Sequence, residues 1–73
     1  MNLDETEFIT KEVISKIKYL RLKRNYKQAY MAAKLGCSQN AYSKIEIGKT
    51  ELTFKNILKI ARILEINLFD LLQ

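Results

Sequence analysis

The spacing of apolar residues along the chain predicts a series of helices. Val13, Ile17 and Leu20 recur every three or four positions, an interval that places them on one face of a helix. The same interval returns nearer the C-terminal end, at Phe54, Ile57, Leu58, Ala61 and Leu64. The chain has no proline and two glycines, so almost every position tolerates helical backbone. We therefore expect an all-α protein.

Residues that favour helix ends divide the central part of the chain into two short helices. Asn25 tolerates the left-handed conformation found after helices, so the first helix should stop near it. A second helix is expected from about Gln28 to Leu35, followed by Gly36, which can take positive φ without strain. Ser38 is a preferred cap for a third helix that spans roughly Gln39 to Ile47.

The C-terminal part of the chain predicts two further helices. Gly48 should end the third helix, and Thr53 is a suitable cap for the fourth. A break at residues 65–67 leads to a short fifth helix from Leu68 to Leu72. The predicted fold is a compact five-helix bundle, with its helix-turn-helix domain over residues 13–73.

The first twelve residues leave the start of the first helix open. Asp4 and Glu7 are three residues apart and resemble a capping box, which would start the helix near residue 5. Thr10 is an alternative cap, which would leave a loose acidic segment before a shorter helix. We therefore expect residues 1–12 to form either an acidic N-terminal arm or an extension of the first helix.

Basic residues are concentrated around the two short central helices. From Val13 through Ile45 the chain carries eight Lys or Arg and no Asp or Glu. The formal net charge is +5 and the isoelectric point is near 9.5. Such a basic surface is typical of proteins that bind polyanions, nucleic acids among them.

The composition argues against several other classes of protein. The chain has no histidine and a single cysteine, Cys37, which leaves neither an internal disulfide nor a Cys/His metal cluster. Without these groups we expect no enzyme activity, no cofactor or metal, and no small-molecule ligand. No apolar run approaches the roughly 20 residues that span a membrane. We expect a cytoplasmic, nucleoid-associated protein.

The most informative segment for function runs from Gln28 to Lys49 and reads QAYMAAKLGCSQNAYSKIEIGK. It predicts two short helices joined by a turn that contains glycine. This arrangement is the helix-turn-helix unit, whose second helix enters the major groove of DNA.

The chain resembles the phage-repressor, Cro and Xre-type helix-turn-helix family, a family of five-helix DNA-binding domains. The resemblance covers about Ile17 to Leu72 and rests on the segments IKYLRLKRN, QAYMAAKLGCSQNAYSKIEIGK and FKNILKIARILEINLFDLL. It includes Gln28 at the start of the second helix and the Ser-x-Ile-Glu-x-Gly pattern from Ser43 to Gly48.

The resemblance implies two structural features of the bundle. Arg21 and Glu46 would form a partly buried ion pair between the first and third helices. Ala32 and Gly36 would be small because the two central helices cross closely, at a distance that excludes bulky residues.

The resemblance also implies which side chains read the bases. Ser38, Gln39, Asn40 and Lys44 would lie on the exposed face of the third helix, with Ser43 nearby. The amides can pair with N6 and N7 of adenine, and the ammonium can donate to O6 and N7 of guanine.

A second group of residues is expected to contact phosphates. Gln28 opens the second helix, where the positive end of the helix dipole favours a phosphate oxygen. Lys49 follows the third helix and is a second candidate, with Lys27 and Arg24 as weaker ones. Ile47 stands where relatives often carry a polar or basic residue, so one phosphate contact should be missing.

These features predict a sequence-specific, double-stranded-DNA-binding transcriptional regulator, most consistent with a homodimeric repressor. The alternative is an antitoxin-type or other protein-interaction module whose DNA binding is autoregulatory. It would use the acidic N-terminal segment or the apolar C-terminal face to hold a partner.

The homodimer is expected to form through the C-terminal helices, as is common among relatives. The apolar residues there exceed the needs of the periodic core, namely Ile60, Ile63, Ile66 and Phe69. The competing interpretation is that N-terminal residues of the same chain cover this surface, namely Phe8, Ile9 and Ile14.

Overall fold

The computed structural model describes residues 3–73, which fold into five helices with no strand among them. The helices are α1 (Leu3–Lys23), α2 (Gln28–Leu35), α3 (Gln39–Glu46), α4 (Phe54–Ile63) and α5 (Leu68–Leu72). This architecture confirms the all-α, five-helix fold class. The bounds of α2 and α5 agree with those expected from the sequence, and α3 ends one residue earlier than expected.

The first helix, α1, is continuous over 21 residues and begins ahead of both predicted start points. Asp4 and Glu5 occupy its first turn, where carboxylates interact favourably with the helix dipole. Thr10 is not a cap, because its hydroxyl donates to the carbonyl oxygen of Thr6 at 2.9 Å inside the helix. Residues 3–12 are therefore helical and continue directly into the part of α1 that packs on the bundle.

Four helices end in a residue with left-handed backbone. The φ angle is 58° at Asn25 after α1, 77° at Gly36 after α2, 80° at Gly48 after α3 and 57° at Glu65 after α4. After each of them, the next backbone N–H donates to a carbonyl five residues back, at 2.9 Å after Gly48 and at 3.0 Å in the other three cases. This pattern satisfies carbonyls that the helix end leaves open and turns the chain towards the next helix. The expected left-handed role of Asn25 is confirmed.

Side-chain caps start three of the later helices. The Ser38 hydroxyl oxygen accepts from the backbone N–H of Ala41 at 3.1 Å, and the Thr53 hydroxyl oxygen accepts from that of Asn56 at 3.1 Å. Asn67 caps α5 in the same manner. The predicted caps at Ser38 and Thr53 are confirmed.

Buried apolar residues from all five helices meet in one core, formed by Val13, Ile17, Met31, Ala32, Tyr42, Ile60, Ala61, Leu64 and Leu71. Within this core, α1 packs against α3 and α5, while α2 packs against α3 and α4. The third helix is thus held from its inner side, and its outer side remains open to solvent.

The rotation of α4 differs from the one that the sequence predicted. Phe54 is 64% exposed and Leu58 is 44% exposed, whereas Ile60 is fully buried. The expectation that Phe54 and Leu58 face the core, and that Ile60 is surplus to it, is wrong. Apolar residues occupy more than one face of α4, so periodicity alone could not select the face that meets α2 and α5. The buried face contains Ile60, Ala61 and the following Leu64.

The C-terminal apolar residues divide into two groups. Ile63 and Ile66 pack against the edge of the core, and Phe69 is 69% exposed. Of the N-terminal residues expected to cover this surface, Phe8 is 64% exposed, whereas Ile14 is buried and Ile9 lines a cavity together with Leu71 and Leu72. No helix within residues 3–73 has the length and apolar character needed to cross a membrane.

Candidate nucleic-acid interface

The connection between α2 and α3 is a tight turn over residues 36–38. Gly36 takes a φ of 77° and donates its N–H to the carbonyl of Ala33 at 3.2 Å. A β-carbon built at Gly36 would meet nothing within 4 Å. The expectation that Gly36 is small because the helices leave no room is therefore wrong, and its role is to supply left-handed backbone. Ala32, which is 2% exposed, occupies the close contact between the helices.

The outer face of α3 carries the residues expected to read bases. Gln39, Asn40 and Lys44 are exposed, and Ser43 is half-buried. The opposite face of α3 is buried, with Tyr42 fully so. The sequence of α3 separates polar from apolar positions at helical spacing, which fixes its outward face.

Ser38 combines two roles at the start of α3. Its hydroxyl oxygen accepts the cap hydrogen bond from Ala41, as described above. The hydroxyl proton is not used by that bond, so it can be donated to a phosphate or a base. Ser38 is exposed at the positive end of the helix dipole, which favours a bound anion.

An open groove runs between α3 and the start of α4. Ser38, Asn40 and Lys44 line one side of it, and Thr50 and Asn56 line the other. Thr50 and Asn56 were not expected here from sequence, because neither residue lies on α3 or carries a charge. Their polarity and their position flanking the cap residue Thr53 are the signal that could have identified them.

Lys49 lies just beyond the C-terminal end of α3. Its backbone N–H donates to the carbonyl of Lys44 at 2.9 Å, and its side chain is exposed. Ile47, at the end of α3, is 61% exposed. An apolar side chain is thus exposed at this position, and the absence of a phosphate contact here stays a prediction.

Gln28 occupies a different environment from the other predicted contact residues. It is half-buried, and its side-chain amide donates from Nε2 to Oε1 of Glu46 at 3.2 Å. Its amide has a second N–H and a carbonyl oxygen beyond that bond. Gln28 therefore connects the first residue of α2 to Glu46 on the inner face of α3.

Glu46 is the centre of a buried polar network. Its Oε2 accepts from Nε of Arg21 at 2.6 Å, and its Oε1 accepts from Nη2 of Arg21 at 3.2 Å. The hydroxyl of Tyr42 also donates to Oε2, at 2.5 Å. The two charged side chains are 8% and 2% exposed, so the ion pair implied by the family resemblance is present and is more deeply buried than expected.

The network extends to the turn after α1, because Nη1 of Arg21 donates to the backbone carbonyl of Tyr26 at 2.8 Å. One carboxylate thus ties α1, α2 and α3 together. Burial raises the pKa of Glu46, but hydrogen bonds from Arg21, Tyr42 and Gln28 outweigh it, and the net pKa lies below the usual range. Glu46 is therefore ionised and satisfied at neutral pH.

The same network holds Tyr42 in its neutral form. Burial raises the pKa of Tyr42 well above its usual range, and the neighbouring Glu46 carboxylate raises it further. A neutral phenol keeps the proton that it donates to Glu46. The inner face of α3 is therefore fixed by charge and hydrogen bonding as well as by apolar packing.

Basic side chains lie on the segments that flank the helix-turn-helix unit. Lys27 and Lys49 are exposed and Arg24 is half-buried, on the segments before and after the two central helices. The part of the chain that the structure describes contains no cluster of three or more metal-ligating side chains. The arrangement can therefore offer cations and neutral donors to an anionic, hydrogen-bonding surface.

A family model described as helix-turn-helix matches residues 17–71. The match runs from the middle of α1 into α5 and includes the turn between α2 and α3. The chain belongs to the Cro/C1-type helix-turn-helix family. No curated protein and no solved structure matches the chain.

The Cro/C1-type helix-turn-helix family consists of DNA-binding regulatory domains. The matched residues contain every predicted contact residue, from Gln28 to Lys49. Residues 3–16 lie outside the match, although the structure makes them part of the same helix as Ile17.

Proposed function

We propose that the protein is a sequence-specific, double-stranded-DNA-binding transcription regulator that acts as a homodimeric repressor. The observation that carries this proposal is the two-sided character of α3. Its inner face is fixed by the Glu46 network, and its outer face presents Gln39, Asn40 and Lys44 to solvent. A helix held in this way can enter the major groove without loss of its own packing.

Base selection is assigned to the outer face of α3. The amides of Gln39 and Asn40 suit adenine, and Lys44 suits guanine. Ser38 and Ser43 flank these residues and can donate to base edges or to the nearest phosphate. Each well-formed base contact contributes roughly 1–3 kcal/mol of discrimination.

Phosphate binding is assigned to the residues around α3. Gln28 uses the part of its amide that does not bond Glu46, and Lys49 contributes an exposed ammonium. Repression follows from occupancy, because a protein on a promoter blocks access by polymerase. The proposed cellular location is the nucleoid, where the duplex DNA is found.

The proposed dimer uses the C-terminal helices. Phe69 is 69% exposed and Leu72 is 44% exposed, so α5 presents an apolar surface that a second copy can cover. Two-fold symmetry would place two α3 helices about one helical turn of DNA apart, on a near-palindromic operator.

Selection of bound duplexes from a random pool tests this proposal directly. We expect an enriched site with two half-sites related by two-fold symmetry. Binding to that site should weaken by roughly 10³–10⁵-fold between 50 and 200 mM salt if six to ten phosphates are contacted. Absence of any enriched sequence, or affinity independent of salt, would contradict the proposal.

A further inference from the structure

The N-terminal half of α1 carries an acidic stripe with an aromatic residue at its centre. Asp4, Phe8 and Glu12 are spaced four apart, so they lie in one row along the helix. All three are exposed, and Phe8 is 64% exposed. The row points away from the side of α1 that buries Val13 and Ile17 in the core. We refer to these three residues as the acidic stripe.

The acidic stripe lies outside the residues that match the helix-turn-helix family. DNA binding by the matched residues therefore does not explain the acidic stripe. The negative charge of the stripe would repel DNA phosphates. An exposed aromatic side chain between carboxylates has the composition of a protein interface, with an apolar anchor and a polar rim. The charge of the rim requires a basic surface on the partner.

A basic surface of matching character is present on the same chain. Lys34 of α2 and Lys59 and Arg62 of α4 line a shallow groove together with Tyr30, Ile63 and Glu65. None of these residues belongs to α3. We refer to these six residues as the basic groove, since it holds three cations and one carboxylate.

The cations of the basic groove are available for a partner. The Nζ of Lys34 lies 5.6 Å from the centre of the Tyr30 ring, which is 40% exposed. Within residues 3–73, no carboxylate oxygen lies within 4.0 Å of the charged nitrogens of Lys34, Lys59 or Arg62. The groove therefore carries a net positive charge, with three cations and the one carboxylate of Glu65, beside apolar side chains that can receive an aromatic ring.

We propose that the acidic stripe of one copy docks on the basic groove of a second copy. The two surfaces cannot meet within one chain, because α1 packs on α3 and α5 whereas the groove is formed by α2 and α4. Phe8 would enter the groove beside Tyr30, with Asp4 and Glu12 next to the cations. The contact is head-to-tail, so each added copy leaves one stripe and one groove open for the next.

This contact does not use the outer face of α3. It centres on Phe8, whereas the two-fold dimer proposed above uses Phe69 and Leu72; Glu12 borders both surfaces, because it lines a cavity with Leu72. Dimers joined through it would occupy neighbouring operators cooperatively. Because exposed charges are screened beyond about 10 Å at 0.1 M salt, the association should be strongest at low ionic strength. Association in the absence of DNA does not depend on the proposed function, so the two proposals can fail separately.

Charge reversal with mixing tests the contact. In one variant the stripe is made basic (Asp4→Lys with Glu12→Lys), and in the other the groove is made acidic (Lys59→Glu with Arg62→Glu). In sedimentation velocity at low salt, wild-type protein should form species larger than the dimer. Each variant alone should lose them, with association weakened by roughly tenfold or more, since like charges then face each other. An equimolar mixture should regain them, because each reversed surface finds its complement on the other variant.

Three controls make the result specific. Glu7→Lys with Glu51→Lys adds the same charge away from the stripe and should leave the large species unchanged. Phe8→Ser should weaken association while keeping the charge. Circular dichroism should show that the bundle stays folded in every variant, because all the altered side chains are exposed. Only Asp4→Lys is expected to loosen the first turn of α1, since it places a cation at the positive end of the helix dipole.

Two outcomes would overturn the proposal. One is a mixture that associates no better than either variant alone. The other is a groove variant that retains wild-type association but loses affinity for a single operator duplex, which would assign the basic groove to DNA phosphates.

Discussion

Gln28 donates a hydrogen bond from its side-chain Nε2 to Oε1 of Glu46, across 3.2 Å. The bond joins the first residue of α2 to the last residue of α3 through a carboxylate that also binds Arg21 and Tyr42. A residue expected to hold a phosphate is thus part of the structure that positions the recognition helix. In the proposed complex, contact with the DNA backbone and the orientation of α3 would be linked through one amide.

Replacement of Gln28 by alanine should weaken binding to all DNA sequences about equally. The change removes one phosphate contact and one of the hydrogen bonds to Glu46, and each such bond contributes roughly 1 kcal/mol. We expect a loss of about fivefold to thirtyfold in affinity, which corresponds to one to two of those bonds. Titration of the selected operator and of a scrambled duplex measures it. A loss confined to one base position would show that Gln28 reads sequence instead.

Replacement of Lys44 by alanine should change specificity more than overall affinity. Its exposed ammonium is assigned to a guanine, so preference at one position of each half-site should fall by roughly 1–3 kcal/mol. Affinity for operators substituted at each position in turn gives the profile. Lys18→Ala is the matched control, because it removes an exposed lysine that lies on α1 and not on α3. It should leave the profile unchanged. A uniform loss for Lys44→Ala would reassign it to a phosphate.

Replacement of Glu46 by glutamine should destabilise the fold. The change leaves the Arg21 guanidinium buried without its counter-charge, and breaking one side of a buried pair costs roughly 3–5 kcal/mol. Urea denaturation followed by circular dichroism gives the free energy of unfolding. Glu51→Gln is the matched control, because Glu51 is exposed, and it should change that free energy by less than about 0.5 kcal/mol. Equal effects of the two substitutions would count against a structural role for the network.

Acidification should remove the contribution of Glu46. The pKa of Glu46 is lower in the folded state than in the unfolded chain. Its contribution to the free energy of unfolding is therefore fully present above the pKa of the unfolded chain, about 4.3. This stability is lost as the pH falls through the lower, folded pKa. The difference in unfolding free energy between wild type and Glu46→Gln should therefore shrink below about pH 4. A difference that stays constant from pH 7 to pH 3 would show that the carboxylate does not titrate with folding.

Replacement of Ser38 by aspartate should separate folding from DNA binding. Aspartate caps helices as well as serine does, so the free energy of unfolding should change by less than about 0.5 kcal/mol. The added negative charge should repel phosphates and lower affinity for DNA by roughly tenfold or more. Asn67→Asp adds the same charge at the cap of α5, away from α3, and should cost much less affinity. Similar losses for both variants would indicate a general charge effect and no contact at Ser38.

Local signals in the sequence were sufficient for most of the fold. Ser38 and Thr53 as caps and Asn25 as a left-handed residue are each recognised from the residue and its immediate neighbours. Local signals could not predict which face of α4 points into the core. Apolar residues occupy several of its faces, and the contacts with α2 and α5 decide that Ile60 enters the core and Phe54 does not.

The candidate site was predictable where one helix determines it. The exposure of Gln39, Asn40 and Lys44 follows from the periodicity of α3. The bond from Gln28 to Glu46 and the contribution of Asn56 to the groove depend on how separate helices pack. Such relationships require the three-dimensional structure, because they join residues that are distant in sequence.

The inner and outer faces of α3 have different consequences for how this protein could evolve. Exchange of Tyr42 or Glu46 disturbs the core, so these positions are constrained whatever the operator. The exposed side chains at positions 39, 40 and 44 contribute little to the stability of the fold, so all three can be exchanged together. Under the proposed function, new target sites would therefore be accessible through a few substitutions, while the rest of the fold is inherited unchanged.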